Sequence, residues 1–254
     1  MIEVNNLHRT YRRNVHALKG VTFTVNAGQR FGIVGESGSG KSTLVRLLAA
    51  LDRPTGGLIR FRGTRIDTLP ERKLKFLRND LQIVFQDPMG SLDPRMRVKD
   101  IICEPLDRDY DRSERLRELL DAVGLPQNAA TRYPHQFSGG QRQRISIARA
   151  LAPYPKVLVA DEPVSALDVS VRAQILNLLD ELVERYDLTL VFVSHDLAVV
   201  RRVCDTVAVM RRGQIVEIGD VEQIYRYPNH PYTRELIAAV PTLQGALARF
   251  QGGS

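Results

Sequence analysis

The octapeptide Gly35-Glu36-Ser37-Gly38-Ser39-Gly40-Lys41-Ser42 constrains this chain more than any other feature. It has the pattern G-x-x-x-x-G-K-[ST], in which glycines let the backbone curl until several N–H groups point at one anion. Such a loop needs a strand before it and a helix after it, because the helix N-terminus adds the positive end of its dipole. Both neighbours are legible: residues 30–34 read as a strand and residues 41–51 as a helix. Lys41 would then reach the β- and γ-phosphates of a nucleotide, and the Ser42 hydroxyl would bind Mg²⁺. Gly35, Ser37, Gly38, Ser39, Gly40 and the following Thr43 complete the expected phosphate cradle.

Further elements follow from hydrophobic periodicity. Residues 21–25 alternate apolar and polar, as a half-buried strand does. Residues 58–62 and 81–85 read as strands, with a helix-like stretch at 71–78 between them. From Asp87 to about Pro155 the strand signal fades, while residues 113–123 and 141–151 are helical in pattern. A mostly helical segment is therefore inserted there. Residues 156–160 and 189–193 are short apolar runs bounded by polar turns, the mark of strands buried on both faces of a parallel sheet. Between them Ile175, Leu178, Leu179 and Leu182 lie on one face of an amphipathic helix. Residues 207–210 and 214–218 flank Arg211-Arg212-Gly213 as a hairpin would, and the tail from Val221 reads as helix broken by Pro228, Pro231 and Pro241.

Composition narrows the class. With 254 residues, 43% of them hydrophobic, the chain can build a real core and is not intrinsically disordered. Charges interrupt every apolar stretch well before the roughly 18 residues of a membrane span. The opening residues carry no apolar run behind their basic ones, so no signal peptide is expected. Cys103 and Cys204 lie far apart and fit neither a disulfide framework nor a metal cluster, which suits a reducing cytosol. The net charge of +7 is scattered (Arg12, Arg60, Arg72, Arg201 and others) and forms no stripe interleaved with aromatics, so nucleic acid is not an expected partner.

Two more motifs bear on chemistry. A buried strand ending in Asp161-Glu162 can place one carboxylate on a metal ion and the other on an attacking water. Phe137-Ser138-Gly139-Gly140-Gln141 opens a helix, and its free N–H groups and hydroxyl form a second anion site. One nucleotide needs only one phosphate loop, so the second site requires an explanation.

The explanation comes from a resemblance. Tyr11, the phosphate loop, Gln86, the Phe137 to Gln141 string, Asp161-Glu162, Ser165-Ala166-Leu167-Asp168 and Ser194-His195-Asp196 occur in the order found in ATP-binding cassette (ABC) transporter ATPases. The chain resembles their nucleotide-binding subunit from end to end, with Phe137 standing where the family's string usually has Leu. The resemblance implies an α/β fold of the P-loop NTPase class: a mixed sheet core, an N-terminal antiparallel β subdomain and an inserted α-helical subdomain. The single ATPase domain would span residues 1–251, with core 1–86 and 156–220, helical insert about 87–155 and C-terminal tail about 221–251.

In that family two cassettes pack head to tail, and each ATP lies between the phosphate loop of one and the signature helix of the other. Ser138, Gly139, Gly140 and Gln141 would therefore clamp ATP held by the partner. By the same resemblance Tyr11 stacks on adenine, Gln86 touches Mg²⁺ or the water, and Asp161 holds the metal. Glu162 orients or deprotonates the water, His195 contacts the γ-phosphate, and Asp168 couples the two sites.

Finer features are similar to the oligopeptide/dipeptide importers, a group that also includes nickel and metallophore importers. They are the string from Gln86 to Arg95, the string from Asp161 to Ser170, and Asn229-His230-Pro231-Tyr232-Thr233-Arg234 followed by Ala238-Ala239-Val240-Pro241. This implies ATP and Mg²⁺ as cofactors and no iron–sulfur cluster. It also implies a second ATPase subunit (identical or different), two permease subunits, an extracytoplasmic solute-binding protein, and a place on the cytoplasmic face of the membrane. The permease would dock near residues 87–105, with Met89, Leu92, Met96, Val98, Ile101 and Ile102 as candidate contacts, about half of them expected to be core.

Overall fold

The computed structural model describes residues 1–106 and 111–239. Strands β1 (Ile2–Tyr11) and β2 (Val15–Val25) pair antiparallel, then β3 (Arg30–Val34) leads through the glycine loop into helix α1 (Lys41–Leu48). Next come β4 (Gly56–Phe61), β5 (Thr64–Arg65), α2 (Lys75–Asp80) and β6 (Leu81–Val84). Helices α3 (Pro88–Ser91), α4 (Val98–Ile102), α5 (Arg112–Ala122) and α6 (Gly139–Leu151) follow with no described strand among them. The chain then alternates β7 (Val157–Asp161), α7 (Val169–Arg185), β8 (Thr189–Ser194) and α8 (Leu197–Val203). It closes with the hairpin β9 (Thr206–Arg211) and β10 (Gln214–Asp220), then α9 (Val221–Arg226) and α10 (Pro231–Ala238).

Two sheets result. One is antiparallel, in the order β2-β1-β4-β5; the other is mixed, in the order β10-β9-β3-β8-β7-β6. In the second, β3 runs parallel to both β8 and β9, and β7 runs parallel to both β6 and β8. The central strands are apolar throughout because each face meets a different core. Val157, Val159, Val191 and Val193 face α1 and the antiparallel sheet. Leu158, Ala160, Leu190 and Phe192 face α6, α7 and α8. This two-residue alternation explains why these segments read as continuous hydrophobic runs. Phe23 on β2 and Phe31 on β3 stack with centroids 5.2 Å apart, joining the sheets.

Several boundaries differ from the sequence expectation. The first helix ends at Leu48 rather than Leu51, because Ala50 turns into the left-handed region at φ +51°. Leu51 N–H then bonds Arg46 O at 2.8 Å and Ala50 N–H bonds Leu47 O at 3.0 Å. This is a Schellman-type stop made without the usual glycine. β4 ends at Phe61, since Arg62 has φ +49°, and the helix-like stretch at 71–78 is a 3₁₀ turn (Glu71–Lys73) followed by α2. Helix α6 begins at Gly139, two residues earlier than its apolar pattern suggests, because the capping box of Ser138 and Gln141 starts it. Of the tail expectation, Val240 and Pro241 lie outside the described residues. Among the described residues no helix is long and apolar enough to cross a membrane.

Candidate active site

The parallel strands carry their motifs at one edge. The loop of residues 35–40 follows β3, Gln86 follows β6, Asp161 ends β7 with Glu162 beside it, and His195 follows β8. Sheet order sets β3 next to β8 and β8 next to β7, so these carboxyl ends converge as they do in open α/β sheets generally. β6 stops at Val84, two residues short of Gln86, which therefore sits in a loop rather than at the end of a strand.

Packing enforces the glycines of the loop. Gly40 has φ +107°, and a Cβ there would stand 2.7 Å from Ala17 O. A Cβ on Gly35 would meet Met210 O at 2.2 Å. A side chain at either position would push the loop off β2 or β9. No side chain caps α1 at Gly40, so the first amides of the helix face the loop without a protein acceptor.

Lys41 is 5% exposed and folds back over this loop, donating to Gly35 O at 2.7 Å and Glu36 O at 3.0 Å. Its Nζ is 3.7 Å from Glu162 Oε1. Burial lowers the Lys41 pKa, and the charges of Glu162 and Asp161 oppose that shift. Glu162 occupies the left-handed region at φ +47°, and its N–H is fixed to Val193 O at 2.9 Å. The other carboxylate oxygen, Oε2, lies 3.1 Å from His195 Nδ1. A carboxylate only accepts hydrogen bonds, so Nδ1 carries the proton and Nε2 is directed elsewhere. Burial and the adjacent Glu162 push the Asp161 carboxyl up to about 6, with Lys41 acting the other way.

These groups border a cleft of about 710 Å³ lined by Glu36, Ser37, Gly38, Gly40, Lys41, Ser42, Thr43, Gln86, Glu162 and His195. Val15, His16 and Ala17 at the start of β2 complete the wall. Sequence reading passed over these three, since nothing local in Val15-His16-Ala17 marks a binding wall. Tyr11 is not among the lining residues. Its hydroxyl donates to Asp52 at 2.9 Å, and the Arg9 guanidinium lies 4.4 Å from its ring centroid.

Ser138, Gly139 and Gln141 are exposed, and with Gly140 they stand apart from this cleft. Ser138 Oγ accepts from Gln141 N–H at 3.3 Å while Gln141 Oε1 accepts from Ser138 N–H at 3.0 Å. Asp168 is likewise exposed and caps α7, accepting from Val171 N–H at 2.9 Å. Asp196 caps α8 in the same way. These motif residues each start a helix, which is a sufficient structural reason for their type.

The expected docking contacts are mostly core. Leu92, Val98, Ile101 and Ile102 are no more than 3% exposed, and Met96 packs against them. Only Met89 is well exposed. The helical register of α4 turns its apolar stripe inward, so the surface beside Gln86 is built from other residues. It is a groove of about 430 Å³ lined by Leu51 in the turn after α1, Ile83 and Phe85 around β6, and Pro105, Ser146 and Arg149 of the helical segment.

The oxygen donors of Ser42, Gln86 and Asp161 are the hard ligand types that suit Mg²⁺. Burial, with Glu162 beside it, raises the Asp161 carboxyl, and a divalent cation at that oxygen would favour its ionised form. The residues present therefore fit the ion.

Comparison with known proteins bears on the family and the fold. The family model of the ABC transporter matches residues 18–165, and that of the oligopeptide/dipeptide transporter C-terminal region matches residues 216–252. The glutathione import ATP-binding protein GsiA of Escherichia coli K12 is 53% identical over 244 residues, covering 94% of this chain and 39% of that protein. Its counterpart in Shigella sonnei gives the same figures. This chain thus spans about two fifths of the length of those relatives. Among solved structures, the ATP-binding cassette MJ0796, a dimer bound to ADP and Pi, superimposes with a TM-score of 0.79 at 32% identity, covering 87% of this chain and 99% of that one. The cassette cbiO1 of Clostridium perfringens, part of the transporter complex cbiONQ, gives 0.82 at 29% identity and 98% coverage of both chains.

Proposed function

Since the chain belongs to the ABC transporter family, we propose that it is the ATP-hydrolysing subunit of an importer that takes up peptides through separate permease subunits. The matched C-terminal region and the relatives named for glutathione import support peptides as the solute class. The observation that carries the catalytic reading is the junction of Lys41, Glu162 and His195 in the cleft at the glycine loop. In this reading residues 1–86 and 156–220 form the catalytic core, residues 87–155 the helical insert and residues 221–251 the C-terminal tail.

ATP enters with its triphosphate toward the loop amides and the open N-terminus of α1, where fixed dipoles favour the anion. Lys41 leaves the carbonyls of Gly35 and Glu36 for the β- and γ-phosphate oxygens. Ser42, Asp161 and Gln86 would hold Mg²⁺, which when bound would offset charge on the phosphates. Glu162 then orients the attacking water and accepts its proton, and the exposed face of His195 meets the γ-phosphate. The adenine end lies toward Val15 and His16, and Tyr11 joins them once it gives up its bond to Asp52.

The exposed N-terminus of α6 completes the site of a second cassette, identical or different, with Asp168 at the junction between the two. Such a pair binds at the cytoplasmic face of the membrane, with permease helices in the groove beside Gln86 and an extracytoplasmic binding protein delivering solute. Equilibrium titration with ATP tests the premise: Lys41→Ala weakens binding at least about tenfold. Unchanged binding by that variant would overturn it.

A further inference from the structure

The motif Asn229-His230-Pro231-Tyr232-Thr233-Arg234 touches the glycine loop directly. Tyr232 is 1% exposed, and its hydroxyl oxygen accepts a hydrogen bond from the Glu36 amide at 3.1 Å. The Arg211 guanidinium lies against the ring, 4.6 Å from its centroid. Asn229 and His230 anchor the start of the helix that carries that ring, while Arg234 closes the turn outside it. The amides of Asn229 and His230 donate to the Glu217 carboxylate at 2.8 and 3.1 Å, which ties the start of α10 to β10. His230 Nδ1 accepts from Tyr232 N–H at 3.1 Å, and Arg234 Nε donates to Pro228 O at 3.0 Å.

The loop is gripped on its other polar atoms as well. Glu36 O accepts from Ser39 N–H at 3.1 Å and from Lys41 Nζ at 3.0 Å. Ser39 O in turn accepts from Gly213 N–H of the β9–β10 turn at 2.9 Å. Lys41, which must move when nucleotide binds, thus holds the carbonyls of the peptide groups on both sides of Glu36, while Tyr232 holds the amide of the first.

We propose that Tyr232 is a positioning residue for nucleotide binding: its hydroxyl holds the Glu36 amide away from the anion and presets the curl that aims the remaining loop amides and Lys41. The inference rests on the nucleotide reading given above and extends it to the tail. An amide that lost this acceptor would turn toward the water of the open cleft, and the curl of the loop would no longer be held on that side. The loop would then sample conformations that ATP must reorder at a cost in affinity.

Tyr232→Phe in the full chain keeps the buried ring and deletes only the acceptor. In the nucleotide-free protein, the ¹H–¹⁵N signal of the Glu36 amide moves upfield. The dissociation constant for ATP with Mg²⁺ rises about 3- to 10-fold, the value of one neutral hydrogen bond. KM for ATP rises with it, while kcat changes little, because Tyr232 touches neither water nor phosphate. Arg234→Ala is the control, since it weakens the tail without altering the hydroxyl. Well below its lowered melting temperature it binds ATP as the parent does.

Unchanged ATP affinity in Tyr232→Phe overturns the proposal, whether or not the Glu36 signal shifts. Equal loss of affinity in Arg234→Ala would assign the effect to tail docking in general and also overturn it. A parent chain that fails to bind ATP would sink the nucleotide reading itself, and the parent titration separates that case from the others.

Discussion

Glu162 Oε2 and His195 Nδ1 stand 3.1 Å apart, although they follow different strands of the central sheet. The contact exists because β7 and β8 are neighbours in register, with Asp161 opposite Val193. It sets Glu162 between the His195 ring and the Lys41 ammonium.

Glu162→Gln keeps the shape and removes the base. Phosphate release should fall at least about 100-fold, the usual contribution of a general base. ATP binding should persist, and light scattering in ATP should show an accumulated dimer. Turnover at the parent rate would take Glu162 out of this role.

Ser138→Arg places bulk and charge at the exposed start of α6. A single chain should bind ATP as before, since this residue is remote from its own cleft. ATP-driven dimerisation and hydrolysis should both be lost. Retained hydrolysis with a monomer in light scattering would refute a site shared between two chains.

Glu217 links the tail to pH. Burial raises its pKa, yet hydrogen bonds from the tail, the Asn229 and His230 amides among them, hold it below the usual carboxylate value of 4.5. A carboxyl depressed in the folded state contributes stability that is present above its unfolded pKa and lost as pH falls through the folded value. Hydrogen exchange in α10 should therefore speed up as pH drops below about 4.5, after correction for intrinsic rates. Glu217→Gln should abolish that acid-dependent increase.

Arg115 makes a stability prediction. It is 3% exposed and joins Glu118 at 2.6 Å, Leu151 O at 2.5 Å and Ala152 O at 3.2 Å, while Tyr186 donates to Glu118 at 2.8 Å. This cluster fastens α5 to the end of α6 and to Tyr186, the residue just after α7. Arg115→Met takes one donor from the Glu118 carboxylate, which keeps Tyr186, and one from each of two carbonyls, and should cost about 2–4 kcal/mol in urea unfolding. A loss below about 1 kcal/mol would show the cluster to be incidental.

The residues on their own determined the parts whose cause is local. The loop from Gly35 to Ser42 needs its glycines in place, and the apolar runs of β7 and β8 and the stripe Ile175, Leu178, Leu179 and Leu182 each carry a period that one window reveals. β1 escaped notice because a bulge around Asn6, at φ +45°, breaks its alternation between Val4 and Leu7. The end of α1 was misplaced because an alanine takes the left-handed position where glycine usually signals a stop. Tertiary structure alone decided which face of α4 is buried, how strand order gathers Lys41, Glu162 and His195, and that Tyr232 reaches Glu36. Hydrophobic period and backbone stereochemistry act within a few residues, whereas these contacts depend on which strands lie side by side, and no short stretch of sequence encodes that.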